Sequence, residues 1–215
     1  VIGIFGGTFD PIHYGHLRAA LEVKELLGLT QVRLIPGATP PHRHQPAANA
    51  IMRQQMVMLA IQNQTDFICD SRELDRPGKS YMVDTLVSLR QDFPNQPLLL
   101  FIGTDAFNHL NTWHQWQRLC DFAHIVVMTR PGFSKQKFDD FFVTRYTENQ
   151  AELLNTLAGK LYFQTITQLD ISATVIRQLI AQHRSPRFLL PDTVLNYINQ
   201  HKLYQQEYKC TQNNY

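Results

Sequence analysis

At 215 residues, 44% hydrophobic and 18% charged, the chain has the composition of an ordinary globular domain and can bury a core without disulfides. A net charge of +2 supplies no bulk field for nucleic acid or a membrane surface, and no apolar run approaches the roughly 20 residues of a membrane span. Cys69, Cys120 and Cys210 have no paired spacing, which excludes a disulfide framework or zinc ribbon; with no signal-peptide pattern, the cytoplasm is the expected location.

Ile2-Gly3-Ile4-Phe5 reads as a buried strand, and Leu17, Ala20, Leu21, Lys24 and Leu27 fall at helical spacing behind it. Between them, Gly6-Gly7-Thr8-Phe9-Asp10-Pro11-Ile12-His13-Tyr14-Gly15-His16 makes a strand-to-helix turn. Glycines let backbone approach a ligand, the helix start favours an anion, and His13 and His16 share one side of the first helical turn. No Lys follows the glycines as a P-loop requires, and their spacing is not that of a dinucleotide fingerprint. The histidines also lack the spacing and the neighbouring Glu of a helical zinc site. A lone histidine is more often structural, but two beside Gly-Gly-Thr at a helix start read as an anion site.

Gly28 fits a helix C-cap, and Gln31 to Ile35 reads as the second strand. The Pro-rich segment from Pro36 to His44 has no period and is read as a substrate loop in preference to a plain surface connection. Asn49 caps a helix to about Ile61, with Met52, Met56 and Leu59 or Ala60 facing a core. Phe67 to Asp70 is a brief strand, and Ser80 is the expected cap of a helix running through Arg90. Pro97 to Ile102, the most apolar run, is a central strand that opens through Gly103-Thr104-Asp105 into another helix. Of Trp113 and Trp116, one is expected to be partly exposed. His124 to Thr129 is a buried strand stopped by Arg130-Pro131-Gly132, and residues 133–157 form a peripheral helical excursion. Leu161 to Ile166 is a late strand, Ser172 caps a helix containing Arg177, and Pro191-Asp192 begins the last helix. Strands alternating with helices predict one domain, residues 1–204, with a polar tail at 205–215. Its class is α/β: a Rossmann-like three-layer fold with a mainly parallel central sheet and C-terminal helices.

Gly7, Phe9, Pro11, His13, Gly15 and His16 together resemble the ATP signature of the nucleotidyltransferases that share a His-x-Gly-His core with class I aminoacyl-tRNA synthetases. Ile171-Ser172-Ala173-Thr174-x-x-Arg177 resembles the C-terminal signature of pyridine-nucleotide adenylyltransferases. With Pro40-Pro41-His42-Arg43, Ser80-Tyr81, Ile102-Gly103-x-Asp105, Thr112-Trp113 and Arg130-Pro131-Gly132 in order between them, the likeness spans the chain. It is closest to the bacterial nicotinate-mononucleotide adenylyltransferases.

The resemblance implies adenylyl transfer from ATP to nicotinate mononucleotide, with Mg²⁺ carried on the ATP phosphates and no metal held by protein side chains. It implies His13, His16 and Arg177 as the catalytic set. The same three would contact ATP, along with Gly6, Gly7, Thr8, Phe9, Gly103, Asp105, Arg130, Ile171, Ser172 and Thr174. Thr8, Phe9, His42, Tyr81, Met82 and Trp113 would face the acceptor, Trp113 by stacking on the pyridine ring. Relatives often carry Asn within the segment that is Gly37-Ala38-Thr39 here, and Thr where this chain has Met82. Small-molecule partners are expected, with neither nucleic acid nor membrane. The competing readings are preference for nicotinamide mononucleotide or phosphopantetheine, a non-catalytic ATP sensor, and a tRNA-charging fragment. The last lacks a lysine-rich loop and a basic face.

Overall fold

In a computed structural model, the described residues are 1–38, 46–76, 78–132, 139–167 and 169–205. Six strands form one sheet: β1 (Ile2–Gly7), β2 (Gln31–Pro36), β3 (Phe67–Cys69), β4 (Leu98–Gly103), β5 (His124–Thr129) and β6 (Leu161–Thr165). Their order is β3-β2-β1-β4-β5-β6, and every pairing is parallel. The helices are α1 (Tyr14–Leu27), α2 (Ala50–Ile61), α3 (Met82–Asp92), α4 (Thr104–Asn108), α5 (Leu119–Phe122), α6 (Asp140–Val143), α7 (Gln150–Asn155), α8 (Ala173–Ala181) and α9 (Asp192–Gln200). No described helix is long and apolar enough to cross a membrane.

The continuous apolar runs follow from burial on both faces of a parallel sheet. Along β4, Leu99 and Phe101 point into one core with α1, α2, α8 and α9. Leu98, Leu100 and Ile102 point into the other, with Val83, Leu86 and Leu89 of α3. On β5, Val126 and Met128 join the first core, and Ile125 and Val127 the second. Each such side chain contributes about 1.5–3 kcal/mol on burial, so the two cores hold the sheet as a rigid middle layer. Because β1 and β4 are neighbours, strand order reverses between them, which leaves a crevice at their carboxyl ends. The first signature leaves from one of these strands and Gly103-Thr104-Asp105 from the other.

The expected caps at Gly28, Asn49 and Ser172 are present: Gly28 is left-handed at φ 64°, Asn49 accepts from the Met52 N–H, and Ser172 from the Val175 N–H. Ser80 is not a cap. Tyr81 occupies that position, and the Ser80 hydroxyl accepts from the Ala38 N–H instead, 3.1 Å away, tying the end of β2 to the entry of α3. The buried stripe of α1 is Ala19, Ala20, Val23 and Leu27, while Lys24 pairs with Asp66 at 2.5 Å. The described part of 133–157 carries α6 and α7, which reach inward where Phe142 and Leu153 are buried.

At the amino ends of the strands, the buried His124 accepts the Lys160 N–H on Nδ1 at 3.1 Å and meets the Thr156 carbonyl with Nε2 at 2.9 Å. Only the neutral Nε2–H form satisfies both, and burial holds its pKa below 6.5. At pH 6.5, where a free imidazole is about half protonated, His124 should remain in that form. Ring-nitrogen NMR shifts check this, and an imidazolium signal at that pH would contradict the bonding pattern.

Candidate active site

Chain geometry at the end of β1 places the two histidines. Phe9 has a left-handed backbone at φ 49°, unusual for a large residue. Its buried ring stands edge-on to His16, with centroids 5.1 Å apart, and edge-on to Phe5 at 5.9 Å. The conformation is held by this packing. A Cβ on Gly7 would come within 2.8 Å of the Phe9 ring, and one on Gly6 within 2.4 Å of the Met82 methyl, so both glycines are places of close approach.

His13 is the N-cap of α1, and His16 lies in its first turn. Their rings stack with centroids 3.8 Å apart and planes 27° apart. Gly15 makes room for this, since a Cβ there would sit 3.0 Å from the His13 ring and 3.3 Å from the Ile171 carbonyl. The glycine between the histidines therefore also admits the C-terminal signature. Both Nδ1 atoms are enclosed and have no hydrogen-bond partner among the described residues. Burial lowers the pKa of His13 to about 4 and of His16 to about 3, the neighbouring His13 ring adding to the effect on His16. At neutral pH the pair is uncharged, and each ring offers one N–H and one lone pair. Not every helix-start N–H is open to a ligand: that of Tyr14 is donated to the Leu189 carbonyl, 3.0 Å away.

From the other end of the chain, α8 brings Arg177 to the same turn. Its Nη1 donates to the Asp10 carbonyl at 2.7 Å, and its Nη2 stands 3.4 Å from the Thr174 hydroxyl. Ser172 and Thr174 are exposed at the start of α8, and Ile171 is half-buried. His13, His16, Ile171, Thr174 and Arg177 thus lie around one turn. Gly103, half-buried, and Arg130, exposed, sit where β4 and β5 end, and Asp105 is exposed in α4. These lie on the same carboxyl edge of the sheet and are linked to the turn through the strands.

Of the residues expected to face the acceptor, Tyr81 caps α3 and Met82 begins it, and the Tyr81 ring lies 4.3 Å from that of His114. Trp113 and Trp116 are both half-buried. Trp116 packs on Phe141 and Phe142 at 5.1 and 5.7 Å, and both tryptophans lie against the second core. His42, expected in the acceptor loop, lies outside the described residues.

Three residues that sequence reasoning left aside belong to this region. Asp10 is buried, and its carboxylate accepts from the Ala47 and Ala48 N–H groups at 2.8 and 3.1 Å. The Tyr204 hydroxyl donates to it at 2.7 Å. Arg53, 1% exposed, donates to the carbonyls of Thr8, Ala38 and Ala48 at 2.7, 3.1 and 3.2 Å. A signal for Arg53 was present: it stands on the same helical stripe as Met56 and Val57, where a solvated charge is out of place.

A family model described as cytidylyltransferase-like matches residues 4–179, which contain both signatures. A protein of Acidithiobacillus ferrooxidans named "Probable nicotinate-nucleotide adenylyltransferase" is 48% identical over 206 residues, covering 94% of either chain. One of the same name from Methylococcus capsulatus is 46% identical over 208 residues, covering 95% of this chain and 99% of its own. The chain belongs to the nicotinate-nucleotide adenylyltransferase family. The fold agrees: Plasmodium falciparum nicotinic acid mononucleotide adenylyltransferase, in its complex with NaAD, superposes with a TM-score of 0.71 at 18% identity. That comparison covers 96% of this chain and 98% of the other. In this family member, then, the neutral histidine pair and Arg177 stand at the switch point of a fold shared with distant relatives.

The depressed histidine pKa values have a signed consequence. Each folded-state value lies below the unfolded 6.5, so their contribution is complete above about pH 6.5 and is lost as pH falls towards 4 for His13 and 3 for His16. Unfolding free energy should therefore decline between pH 6.5 and 4, and a His13→Asn/His16→Asn variant should show a shallower decline. Equal slopes in denaturant titrations across that range would count against burial as the cause.

Proposed function

We propose that the chain transfers the adenylyl group of ATP to the 5′-phosphate of nicotinate mononucleotide, giving nicotinate adenine dinucleotide and pyrophosphate in NAD biosynthesis. An acceptor phosphate oxygen attacks the α-phosphorus of ATP; that P–O bond forms as the α-phosphorus to bridging-oxygen bond breaks, and pyrophosphate leaves with the electron pair. No covalent enzyme intermediate is required. The observation that carries this reading is the stacked, uncharged His13–His16 pair meeting Arg177 at one turn, in a chain 48% identical to a relative bearing this enzyme name.

The nucleophile is already anionic, so the protein needs no general base. Its work is to bring two repelling anions into line and to stabilise the charge that moves onto the leaving group. In this reading the His13 and His16 N–H groups hold the ATP phosphates. Arg177, with the Ser172 and Thr174 hydroxyls at the start of α8, takes the pyrophosphate end. Gly6 and Gly7, which make room for Met82 and Phe9, belong to the ATP contact set in this reading. Gly103 and Asp105 meet the ribose of ATP, and Arg130 lies by its adenine. Thr8 and Phe9 offer backbone to the acceptor, beside Tyr81, Met82 and Trp113, with His42 on the same side.

Magnesium enters with the substrate as Mg·ATP. In this reading the ion's ligands are phosphate oxygens of the nucleotide. It neutralises charge on the triphosphate, and no step is assigned to protein-bound metal.

Met82, at a position where relatives often carry Thr, leaves one second reading, a dual preference that also accepts nicotinamide mononucleotide. Pyrophosphate release with Mg·ATP, measured against both mononucleotides in parallel, should show a strong preference for the nicotinate form. Comparable rates establish dual specificity, and silence with both overturns the reading.

His16→Ala should lower turnover by about 100-fold, as loss of a preorganised donor does, with little change in acceptor binding. Near-normal turnover in the folded variant would remove His16 from the site. Trp113→Ala should raise the acceptor KM by about ten-fold and leave that of ATP nearly unchanged, consistent with loss of one stacked ring. Equal effects on both constants would assign Trp113 to the core.

A further inference from the structure

Tyr204 is the second-to-last described residue, and its hydroxyl is aimed at a carboxylate 194 positions earlier in the chain. The Tyr204 OH and the Ala48 N–H share Asp10 Oδ1 at 2.7 and 3.1 Å, while Oδ2 takes the Ala47 N–H at 2.8 Å. With the carboxylate fixed from three sides, the backbone of Asp10 is fixed too. Its carbonyl receives Arg177 Nη1 at 2.7 Å, and the same nitrogen stands 3.9 Å from Oδ2. Arg53 clamps the neighbouring turn by holding the Thr8 carbonyl at 2.7 Å. The carbonyl and the following N–H of a trans peptide point in opposite directions, so this hold also turns the Phe9 N–H away from Arg53.

Packing alone does not call for the Tyr204 hydroxyl. A phenylalanine would fill the same space, and the two backbone N–H groups would still satisfy the carboxylate in part. What the hydroxyl adds is a fixed direction for Asp10, and through Asp10 a fixed reach for Arg177. A guanidinium that must meet charge as it develops on a leaving group is effective only when it is placed beforehand.

We propose that Tyr204 and Asp10 are positioning residues for the reaction, holding Arg177 at the pyrophosphate end through the Tyr204–Asp10–Arg177 chain of hydrogen bonds. This rests on the function proposed above and extends it to residues that touch neither substrate.

The test is a double-mutant cycle on the full chain, with Tyr204→Phe, Arg177→Lys and the pair, read well below each variant's thermal midpoint. Tyr204→Phe should lower kcat about ten-fold and weaken ATP binding in calorimetry about three-fold, with the acceptor KM within about two-fold of wild type. In the Arg177→Lys background the same substitution should cause almost no further loss in either quantity. Losses that multiply would show that Tyr204 acts independently of Arg177. Unchanged kcat and ATP affinity with a lowered thermal midpoint would make Tyr204 purely structural. Either result overturns the proposal. If wild type is silent with nicotinate mononucleotide, the acceptor assignment has failed, and the ATP-affinity arm alone decides whether Tyr204 positions Arg177.

Discussion

A carboxylate removed from water must have its oxygens occupied, because an unpaired buried charge costs several kcal/mol. Asp10 imposes that condition on the first turn of the chain. The groups that meet it come from the segment entering α2 and from Tyr204 beyond α9, while its carbonyl anchors α8 through Arg177. Arg53 supplies a nearby positive charge and spends its three kinds of nitrogen on backbone carbonyls, so neither charge is left without partners. Four separate parts of the sequence are thereby brought to one place by the solvation needs of one acid and one base.

The sheet contributes a different kind of order. With β1 and β4 adjacent at its centre and helices covering both faces, the carboxyl ends of these strands form a rim that side-chain fluctuations hardly move. On this rim the chain places small residues and uncharged rings. An enclosed imidazolium pair 3.8 Å apart would repel itself, and neutrality is what allows the rings to stack. In the proposed function an incoming triphosphate changes that balance, because it favours any proton the pair takes up. On that reading the site is preorganised for an anion without a standing charge on the imidazoles.

Much of this was legible from the residues. Apolar runs such as Leu98 to Ile102 can only be strands buried on both faces, and caps at Gly28, Asn49 and Ser172 act within a few residues of themselves. Both signatures are local patterns, so their assembly around one turn could be expected once the sheet was recognised. What escaped detection was long-range. Ser80 looks like a cap, yet its hydroxyl serves Ala38, 42 positions away. Asp10 reads as a turn residue and Tyr204 as the place where the domain stops, while Arg53 shows only as a charge on the apolar stripe of α2, with nothing to name its partners. No spacing rule links them, because their common feature is a shared pocket of low dielectric that exists only in the folded chain. Residues 133–157 read as peripheral for the same reason: the burial of Phe142 and Leu153 depends on neighbours far away in sequence.

The link between Asp10 and Tyr204 also bears on how the molecule is made. The ribosome releases Asp10 194 positions before Tyr204, so the turn exists as a segment long before its last hydrogen-bond donor has emerged. Parallel sheets already delay closure, since β4 must be synthesised before β1 has both neighbours. Here the delay extends to the site itself. The turn that carries His13 and His16 is made well before the hydroxyl that completes its hydrogen bonds, and the nascent chain carries it unfinished across that interval.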